Sequence, residues 1–306
     1  MKKLLSFLLC LSMLLSVGAM ASAEEADHVK FTLQSYNFVV GGDLSDEGFS
    51  LIDTFGALAA AGYEGLEWCG FFNDGMVEVD AVVEAYANSG LECTGYHYHL
   101  SQDVEASVKT AVERCVAYGC DKLIFAYSSP ASFGIEADED GNWTPEQIDE
   151  WAAKVNEVLA AMKAAAEGTN IKVMYHNHAI EFLKGTDGRY MLDMLECDGL
   201  EVDVYWAAKN VNTGYSLANV LDYVRANKEK IFLLHVKDGL AGSSVTGEMC
   251  GWGKGTFDIQ AIIDVAKECG IDTVVVENDN PNAFGLSGLE DALESAEYAK
   301  TLDFSK

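Results

Sequence analysis

The sequence predicts an α/β protein that forms a single (β/α)8 TIM barrel, and three observations support this prediction. Short apolar runs rich in β-branched residues alternate with longer segments of helical period, and eight such pairs follow one another between residues 31 and 302. Several of the apolar runs change abruptly to polar residues at their C-terminal ends. Alternating β/α order implies a parallel sheet, and eight units imply a closed barrel with its chemistry at the C-terminal ends of the strands.

The predicted elements follow one another without a linker or a second domain. The strands cover residues 31–36, 65–68, 92–97, 122–127, 171–176, 200–204, 231–236 and 273–277. The helices cover residues 46–61, 77–88, 104–118, 144–167, 189–196, 216–227, 258–269 and 288–302. Thr144, Pro145 and Gln147 suit the N-cap, N1 and N3 positions of the longest helix. A glycine-rich loop at 243–255 is predicted over the active face, either as a lid or as an ordinary loop.

The N-terminus has the features of a secretory signal peptide. Lys2 and Lys3 precede an apolar run from residue 4 to residue 20, and Ala21-Ser22-Ala23 follows as a cleavage site. Cleavage after Ala23 leaves residues 24–306 as the barrel domain of a secreted or extracytoplasmic protein. The alternative is a retained anchor, but the run is at the lower limit for a spanning helix and lacks a stop-transfer flank.

The charge of the chain disfavours two classes of partner. The formal net charge is −29, and the chain contains three arginines, Arg114, Arg189 and Arg225. Nucleic acids and anionic membranes are bound through clustered basic residues, so we expect neither nucleic-acid binding nor membrane binding after signal cleavage. The sequence does not determine the oligomeric state, and a homodimer is one of the states that it allows.

Polar residues collect at the predicted C-terminal ends of the strands. They include five of the six histidines, and only His28 lies elsewhere. The residues are Gln34, Tyr36, Glu67, His97, His99, Tyr127, His176, His178, Asp203, His235, Lys237, Asp238 and Glu277. A single histidine is more often a core residue than a ligand, but placement on one face favours a shared site. Imidazoles and carboxylates together suit a divalent metal ion such as Mn, Mg, Co or Zn.

Several motifs in this order resemble a known family. They are YHNH at 175–178 with EF at 181–182, EVDVYW at 201–206, LHVKD at 234–238, GKGTFD at 253–258 and VE at 276–277. Weaker matches are LQSY at 33–36 and GYEGLE at 62–67. Together they resemble the xylose-isomerase-like TIM-barrel family of the sugar phosphate isomerase/epimerase superfamily, over nearly the whole chain after the signal.

The resemblance implies a divalent metal ion held by carboxylates and a histidine at the ends of strands five to eight. Asp203, His235 and Glu277 match this pattern. The first ligand is usually a glutamate at the end of strand five, and His176 stands there in this chain. Three arrangements stay open: His176 binds the ion, Glu181 reaches back to it, or the site binds weakly.

The chemistry of such a metal site suggests roles for the other residues. Glu277 is expected to act as ligand and proton carrier, Glu181 or His178 as a second acid/base, and Lys237 to polarise a substrate oxygen. A simple ion pair of Lys237 with Asp238 or Glu277 is equally compatible with the sequence. The candidates for binding a sugar are Glu67, His97, Trp206 and Tyr36, although Trp206 also suits plain packing.

The function predicted from these residues is a secreted, metal-dependent sugar isomerase or epimerase. A metal chelating a ketone and its neighbouring hydroxyl acidifies the adjacent C–H and stabilises an enediolate. A free sugar, cyclitol or keto-sugar is favoured as substrate, because we find no glycine-rich phosphate cradle and few arginines. The same site suits a lyase or dehydratase on a 3-keto-glycoside or inosose. A non-catalytic carbohydrate-binding barrel is a further alternative, and the related apurinic endonucleases are disfavoured by the acidic charge.

Overall fold

The protein folds into a closed barrel of parallel strands, which confirms the predicted fold class. The computed structural model describes residues 28–70, 77–209, 216–240 and 249–306. The barrel strands are β1 Lys30–Gln34, β2 Gly65–Cys69, β3 Glu92–His99, β4 Lys122–Tyr127, β5 Lys172–His176, β6 Gly199–Asp203, β7 Ile231–Val236 and β10 Thr273–Val276. Consecutive strands pair in parallel around the barrel, and β1 closes it by pairing with β10.

Helices follow the strands: the longer ones cover the outside of the barrel, and two short ones, Tyr36–Val40 and Val204–Ala208, begin at the C-terminal ends of their strands. In chain order the helices are α1 Tyr36–Val40, α2 Leu51–Ala61, α3 Val79–Ser89, α4 Val104–Tyr118, α5 Pro145–Ala165, α6 Val204–Ala208, α7 Leu217–Ala226, α8 Ile259–Cys269 and α9 Gly288–Ala299. The predicted start of α5 is confirmed, because Thr144 and Gln147 form a reciprocal capping box with Pro145 in the first turn. Gly62 and Gly270 end α2 and α8 in the left-handed conformation that favours glycine.

Two predicted helices differ from the structure. Residues 189–196 were predicted as a helix, but they contain only a 3-10 turn at Met191–Met194. The chain there is held by the Met191 N–H bond to the Leu183 carbonyl and by a bridge between Lys184 and Tyr190. These contacts use backbone groups that a longer helix would need. The helix predicted from residue 46 begins at Leu51, where the Ser50 side chain caps it.

An apolar layer inside the barrel forms the floor of the site. Ile124, Met174, Leu233 and Val275 make a separate buried cluster on β4, β5, β7 and β10. In parallel strands, the residue two positions further along points the same way, one layer higher. Met174, Leu233 and Val275 therefore place His176, His235 and Glu277 above an apolar floor.

A short antiparallel ribbon, β8 Asp238–Gly239 with β9 Met249–Cys250, follows β7. The Asp238 carboxylate accepts hydrogen bonds from the backbone N–H groups of Gly253, Gly255 and Phe257. Asp238 therefore fixes the second part of the predicted loop 243–255. Residues 243–248 of that loop, with its proposed role as a lid, and the predicted signal peptide at 1–23 lie outside the described residues. Within the described ranges, no helix has the length and apolar character that crossing a membrane requires.

Candidate active site

Four residues on four strands converge in the upper interior of the barrel, and we call them the inner set: His97, His176, Glu201 and His235. All four are buried. One potential ligand atom from each lies within 4.8 Å of the others. Oε2 of Glu201 lies 2.8 Å from His97 Nε2, 2.9 Å from His176 Nδ1 and 3.3 Å from His235 Nε2. Three imidazoles are thus directed at one carboxylate oxygen.

Glu67 joins the inner set from the opposite side of the barrel. Its Oε1 lies 2.6 Å from His97 Nε2 and 2.8 Å from His235 Nε2, and it accepts a hydrogen bond from Gln34. A glycine at position 95 makes room for this carboxylate, because a Cβ there would overlap Oε2 of Glu67 and lie 2.8 Å from Ile124. Glu67 is fully buried beneath the cavity lining, so it contacts His97 and His235 and not the space where a sugar would bind.

A second group, the outer set, consists of Asp203, Lys237, Glu277 and Asp279, of which Asp203 and Lys237 follow the inner-set residues Glu201 and His235 by two positions. The Lys237 ammonium is 1% exposed and lies 2.9 Å from Asp203 Oδ2, 3.4 Å from Asp279 Oδ1 and in direct contact with Glu277 Oε2. Lys237 therefore pairs with Glu277, one of the two partners predicted for it. Asp238 instead binds the backbone of the following loop.

The two sets meet at His235. Its Nε2 faces Glu67 and Glu201, and its Nδ1 lies 2.9 Å from Glu277 Oε2. Asp203, Glu277 and His235 form a second group with ligand atoms within 4.8 Å of one another. The predicted ligands His176, Asp203, His235 and Glu277 are therefore divided between two overlapping groups that share His235.

Burial and mutual charge set the protonation of the inner set. Burial by itself lowers the pKa of His97, but the Glu67 and Glu201 carboxylates outweigh it and raise the pKa to about 9. The pKa of His235 is raised for the same reason. Burial lowers the pKa of His176, and the neighbouring His235 lowers it further. Burial opposes ionisation of Glu201, but His235 and His97 hold its pKa well below the usual range. In the metal-free protein two imidazoles thus carry the positive charge.

In the outer set the permanent cation is Lys237. Burial opposes its charge, but Asp203 and Asp279 outweigh burial and raise its pKa. Burial likewise opposes ionisation of Glu277, and the Lys237 ammonium reverses this and lowers its pKa. Burial raises the pKa of Asp279 to about 7 against the effect of Lys237. Asp279 is thus balanced near neutrality and is suited to general acid or base chemistry.

Two further predicted residues follow β5. Burial lowers the pKa of His178 to about 3, so its imidazole is neutral at physiological pH. Its Nδ1 is buried and has no hydrogen-bond partner within the described part of the chain. Glu181 lies behind this loop, where it accepts hydrogen bonds from the Tyr175 hydroxyl and the His178 backbone N–H. Burial raises its pKa to about 8. Glu181 does not line the cavity and instead supports the loop that carries His178.

A cavity of about 390 Å³ opens above both sets at the C-terminal end of the barrel. Its polar wall includes His97, His176, Lys237, Glu277 and Asp279. Its aromatic wall contains Tyr36, Tyr127, His178 and Trp206, and the Trp206 indole donates a hydrogen bond of 3.2 Å to Asp279. The predicted sugar-binding residues Tyr36, His97 and Trp206 therefore line the cavity.

Sequence reasoning did not assign two residues of the site. Glu201 lies two positions before Asp203 on β6, and Asp279 lies two positions after Glu277. A strand of period two places residues i and i+2 on the same face, so this spacing could have indicated Glu201. Asp279 follows the end of β10, where the strand period no longer predicts direction.

The inner set can hold a divalent metal ion. Oε2 of Glu67 and Oε1 of Glu201 are fully buried and have no hydrogen-bond partner among the residues described. A buried carboxylate oxygen without a donor is costly, and a cation removes that cost. Three imidazoles and a carboxylate are also ligands that Zn, Co and Mn accept.

Solved structures show the same fold at low sequence identity. A sugar phosphate isomerase/epimerase from Parabacteroides distasonis is 20% identical, with a TM-score of 0.65, and the match covers 93% of this chain and all of that one. The IOLI protein with a bound zinc atom is 15% identical, with a TM-score of 0.61 and coverages of 89% and 96%. The 3-keto-D-glucoside 4-epimerase YcjR from E. coli is 16% identical, with a TM-score of 0.62 and coverages of 89% and 99%. No curated protein matches this chain in sequence.

The family assignment rests on the sequence itself. The family model described as xylose isomerase-like TIM barrel matches residues 55–302, which include β2 to β10 and both sets of buried polar residues. The predicted resemblance is thereby confirmed. This chain is a member of the xylose isomerase-like TIM barrel family.

Proposed function

We propose that this protein is a metal-dependent isomerase or epimerase that acts on an unphosphorylated carbohydrate, either a free sugar, a cyclitol or a keto-sugar. The observation that carries the proposal is one cavity that combines acidic groups, neutral imidazoles and aromatic side chains above a buried potential metal site. The family and the names of the similar structures, which include a 3-keto-D-glucoside 4-epimerase, support the same class of reaction.

The cavity wall suits removal and return of a proton next to a carbonyl group. Glu277 uses one oxygen, Oε2, for both His235 and Lys237, so its Oε1 is the atom that can accept a proton from carbon. Asp279, with a pKa of about 7, can return a proton or exchange one with a hydroxyl group. A divalent ion held in this cluster would act as a Lewis acid toward a carbonyl and its neighbouring hydroxyl.

The remaining wall suits binding of a polyhydroxylated ring. Neutral His178 and His176 can each exchange hydrogen bonds with hydroxyl groups without introducing charge. Trp206 and Tyr36 supply aromatic surface against the apolar faces of a sugar. Glu181, by contrast, is proposed as a support for the His178 loop and no longer as an acid or base in contact with substrate.

The charges of the cavity disfavour a phosphorylated substrate. Of the residues described in the cavity wall, Lys237 is the one lysine or arginine, and three carboxylates already surround it. A phosphate group would have to displace these carboxylates or lie beside them at a cost in repulsion. We therefore propose a neutral carbohydrate, in agreement with export of the chain through the predicted signal peptide at 1–23. Mass measurement of the N-terminus of exported protein tests cleavage after Ala23.

Solvent exchange tests the reaction class. Purified protein is loaded with Mn, Co or Zn and incubated in deuterated water with 3-keto-glucosides, inososes and free ketoses, and the products are followed by NMR. Deuterium incorporation together with a new epimer or isomer supports the proposal. Loss of water or of the aglycone with the same substrates would identify a lyase instead. Binding that protects the cavity, without exchange on any substrate, would indicate a carbohydrate-binding barrel.

A further inference from the structure

We propose that Cys115 and Cys120 form a disulfide-forming pair at the N-terminal end of the barrel, and that an oxidant reaches this pair through a third cysteine, Cys93. All three are free thiols in the structure. Cys93 is the second residue of β3, Cys115 lies in the last turn of α4, and Cys120 follows that helix. The cavity of the proposed function lies at the opposite end of the strands, so this inference is independent of that function.

The end of α4 brings Cys115 and Cys120 together. Gly119 has a left-handed conformation, with φ of 71°. Its N–H donates to the Val116 carbonyl at 3.3 Å, and the Cys120 N–H donates to the Cys115 carbonyl at 2.8 Å. These two bonds define a Schellman motif, in which the residues at the positions of Cys115 and Cys120 frequently make an apolar contact. In this chain two thiols occupy those positions.

The same motif brings the two residues within the range of a disulfide. Residues joined by an N–H to carbonyl bond of 2.8 Å have Cα atoms within about 7 Å of each other, because only short covalent bonds separate these atoms from the hydrogen bond. A disulfide joins Cα atoms about 4.4–6.8 Å apart. The thiols also interact, since the largest cause of the raised pKa of Cys115 is the Cys120 thiol. The bond can therefore form without unwinding α4.

Cys120 is the more reactive thiol of this pair. The Cys115 and Cys93 thiols hold the pKa of Cys120 well below its usual range against the effect of burial, and the Lys122 ammonium acts in the same direction as the thiols. A thiolate, and not a thiol, attacks a disulfide. Cys115 and Cys120 are 0% and 4% exposed, however, so neither presents its sulfur directly to a dissolved oxidant.

Cys93 provides the access that the buried pair lacks. It is half-buried and lines a cavity of about 440 Å³ at the N-terminal ends of β1, β3, β4 and β10. It also interacts with Cys120, because burial and, after it, the Cys120 thiol raise the pKa of Cys93. A small disulfide that enters this cavity therefore meets Cys93 first, and Cys120 is the next thiol.

The proposed reaction consists of three exchanges with a small disulfide such as oxidised glutathione. The Cys93 thiolate attacks one sulfur of the oxidant, forms a mixed disulfide and releases one glutathione. Cys120 then attacks the Cys93 sulfur and releases the second glutathione. Finally, Cys115 attacks the Cys120 sulfur and releases Cys93. Overall, the thiols of Cys115 and Cys120 lose two protons and two electrons, and oxidised glutathione takes them up as two thiols.

Two contacts favour the bond between Cys115 and Cys120 as the end product. The backbone bonds at the end of α4 already hold these two residues together, whereas Cys93 lies on a different element. Release of Cys93 also restores its hydrogen bond of 3.6 Å to the Gly95 carbonyl. The raised pKa of Cys93 makes the first exchange the slowest, so Cys93 controls the rate and Cys115 the product.

The surroundings of the chain decide which state of the pair persists. Disulfides persist in exported proteins, whereas thiols are kept reduced in the cytosol. The export that we propose from the segment at 1–23 would therefore place the pair where its bond is retained.

Peptide mapping of the wild-type protein tests the bond without any substitution. Reduced protein is incubated with oxidised glutathione, quenched with acid, alkylated under denaturing conditions and digested with trypsin. Cleavage after Arg114 and Lys122 places Cys115 and Cys120 on one peptide, 115–122, and places Cys93 on peptide 31–109. We expect peptide 115–122 without alkyl groups and lighter by two hydrogens than its reduced form. Alkylation of both its thiols, or a stable link to peptide 31–109, would overturn the inference.

The rate of this oxidation tests the route through Cys93. Cys93→Ser should form the bond at least tenfold more slowly than wild type, with near-UV circular dichroism as the check on folding. The matched control Cys269→Ser, which removes a half-buried thiol at the end of α8, should keep the wild-type rate. Oxidation of Cys93→Ser at the wild-type rate would overturn the route.

A trapping experiment decides the route if Cys93→Ser does not fold. Wild-type samples quenched early should carry glutathione on Cys93, located by fragmentation of peptide 31–109. An early adduct on peptide 115–122 would show that the oxidant reaches the buried pair directly and would contradict the role of Cys93.

Discussion

The inner and outer sets solve the same physical problem in different ways. Both bury carboxylates at the top of the barrel, but the outer set neutralises them with Lys237, whose charge is permanent. The inner set uses His97 and His235, whose charge depends on a proton that a metal ion can replace. The comparison teaches that one site can contain a fixed cation and an exchangeable one, here on Lys237 and His235, which are two positions apart at the C-terminal end of β7.

Removal of the fixed cation should have the largest effect. Lys237→Met leaves Asp203 and Glu277 buried without their ammonium, so we expect the free energy of unfolding at neutral pH to fall by about 3–5 kcal/mol. Urea denaturation of metal-free protein measures this change. The matched variant Lys300→Met, which removes an exposed pair with Glu297, should change stability by less than about 0.5 kcal/mol. An equal effect of both substitutions would show that the outer set does not depend on Lys237.

Glu181 is a buried carboxylate outside both sets that pairs with no lysine, arginine or protonated histidine in the described part of the chain, so it provides a reference for them. Burial raises the pKa of Glu181 from 4.5 to about 8, so the folded protein holds a proton that the unfolded chain releases between these values. The free energy of unfolding should therefore decrease as pH rises from about 4.5 to about 8, because the native state binds more protons there. Glutamine does not titrate, so in Glu181→Gln the decrease in the free energy of unfolding across this pH range should be smaller than in wild type by roughly 2–4 kcal/mol.

The measurement is a series of urea denaturation curves between pH 5 and about pH 8.5. The difference in stability between Glu181→Gln and wild type should grow in favour of the variant as pH rises. The exposed Glu139→Gln should follow the wild-type curve. Parallel curves for Glu181→Gln and wild type would mean that Glu181 is ionised in the folded protein and does not contrast with the two sets.

The space that the inner set needs can be tested at Gly95. A methyl group there would overlap Oε2 of Glu67 and crowd Ile124, so Gly95→Ala should destabilise the protein by about 1–3 kcal/mol and weaken metal binding. Gly56→Ala, in α2, is the control, because a Cβ there meets nothing within 4 Å and should stabilise the helix by up to about 1 kcal/mol. Thermal unfolding and Co²⁺ titration report both effects. Unchanged metal affinity in Gly95→Ala would separate Glu67 from the ion site.

The smallest effect is expected at the edge of the outer set. Trp206→Phe removes the 3.2 Å hydrogen bond to Asp279 and keeps most of the aromatic surface, so stability should change by less than about 1 kcal/mol. The pH dependence of turnover should then shift, because the Trp206 indole no longer orients the Asp279 carboxylate. A large loss of stability would instead assign Trp206 to packing.

Much of this protein could be predicted from its sequence. The eight strands, most of the helices and the polar ends at His97, His176, His235 and Glu277 follow from periodicity and from glycine and capping residues. The helix at 189–196 was predicted wrongly, because the bonds between Leu183 and Met191 and between Lys184 and Tyr190 are tertiary features that local propensity does not contain. The roles of Glu67 and Glu181 also depended on burial, which placed one beneath the cavity and the other behind it.

The sequence by itself determined the closed barrel, its orientation and the residue types available at its mouth, because strand period and β/α alternation are local properties of the chain. Only the tertiary structure decided that Lys237 lies among Asp203, Glu277 and Asp279, and that Glu201 receives three imidazoles. These contacts join residues up to 104 positions apart, as between His97 and Glu201. Charge pairing in a buried site depends on distances of a few ångströms across the barrel, and the order of residues along one strand does not contain those distances.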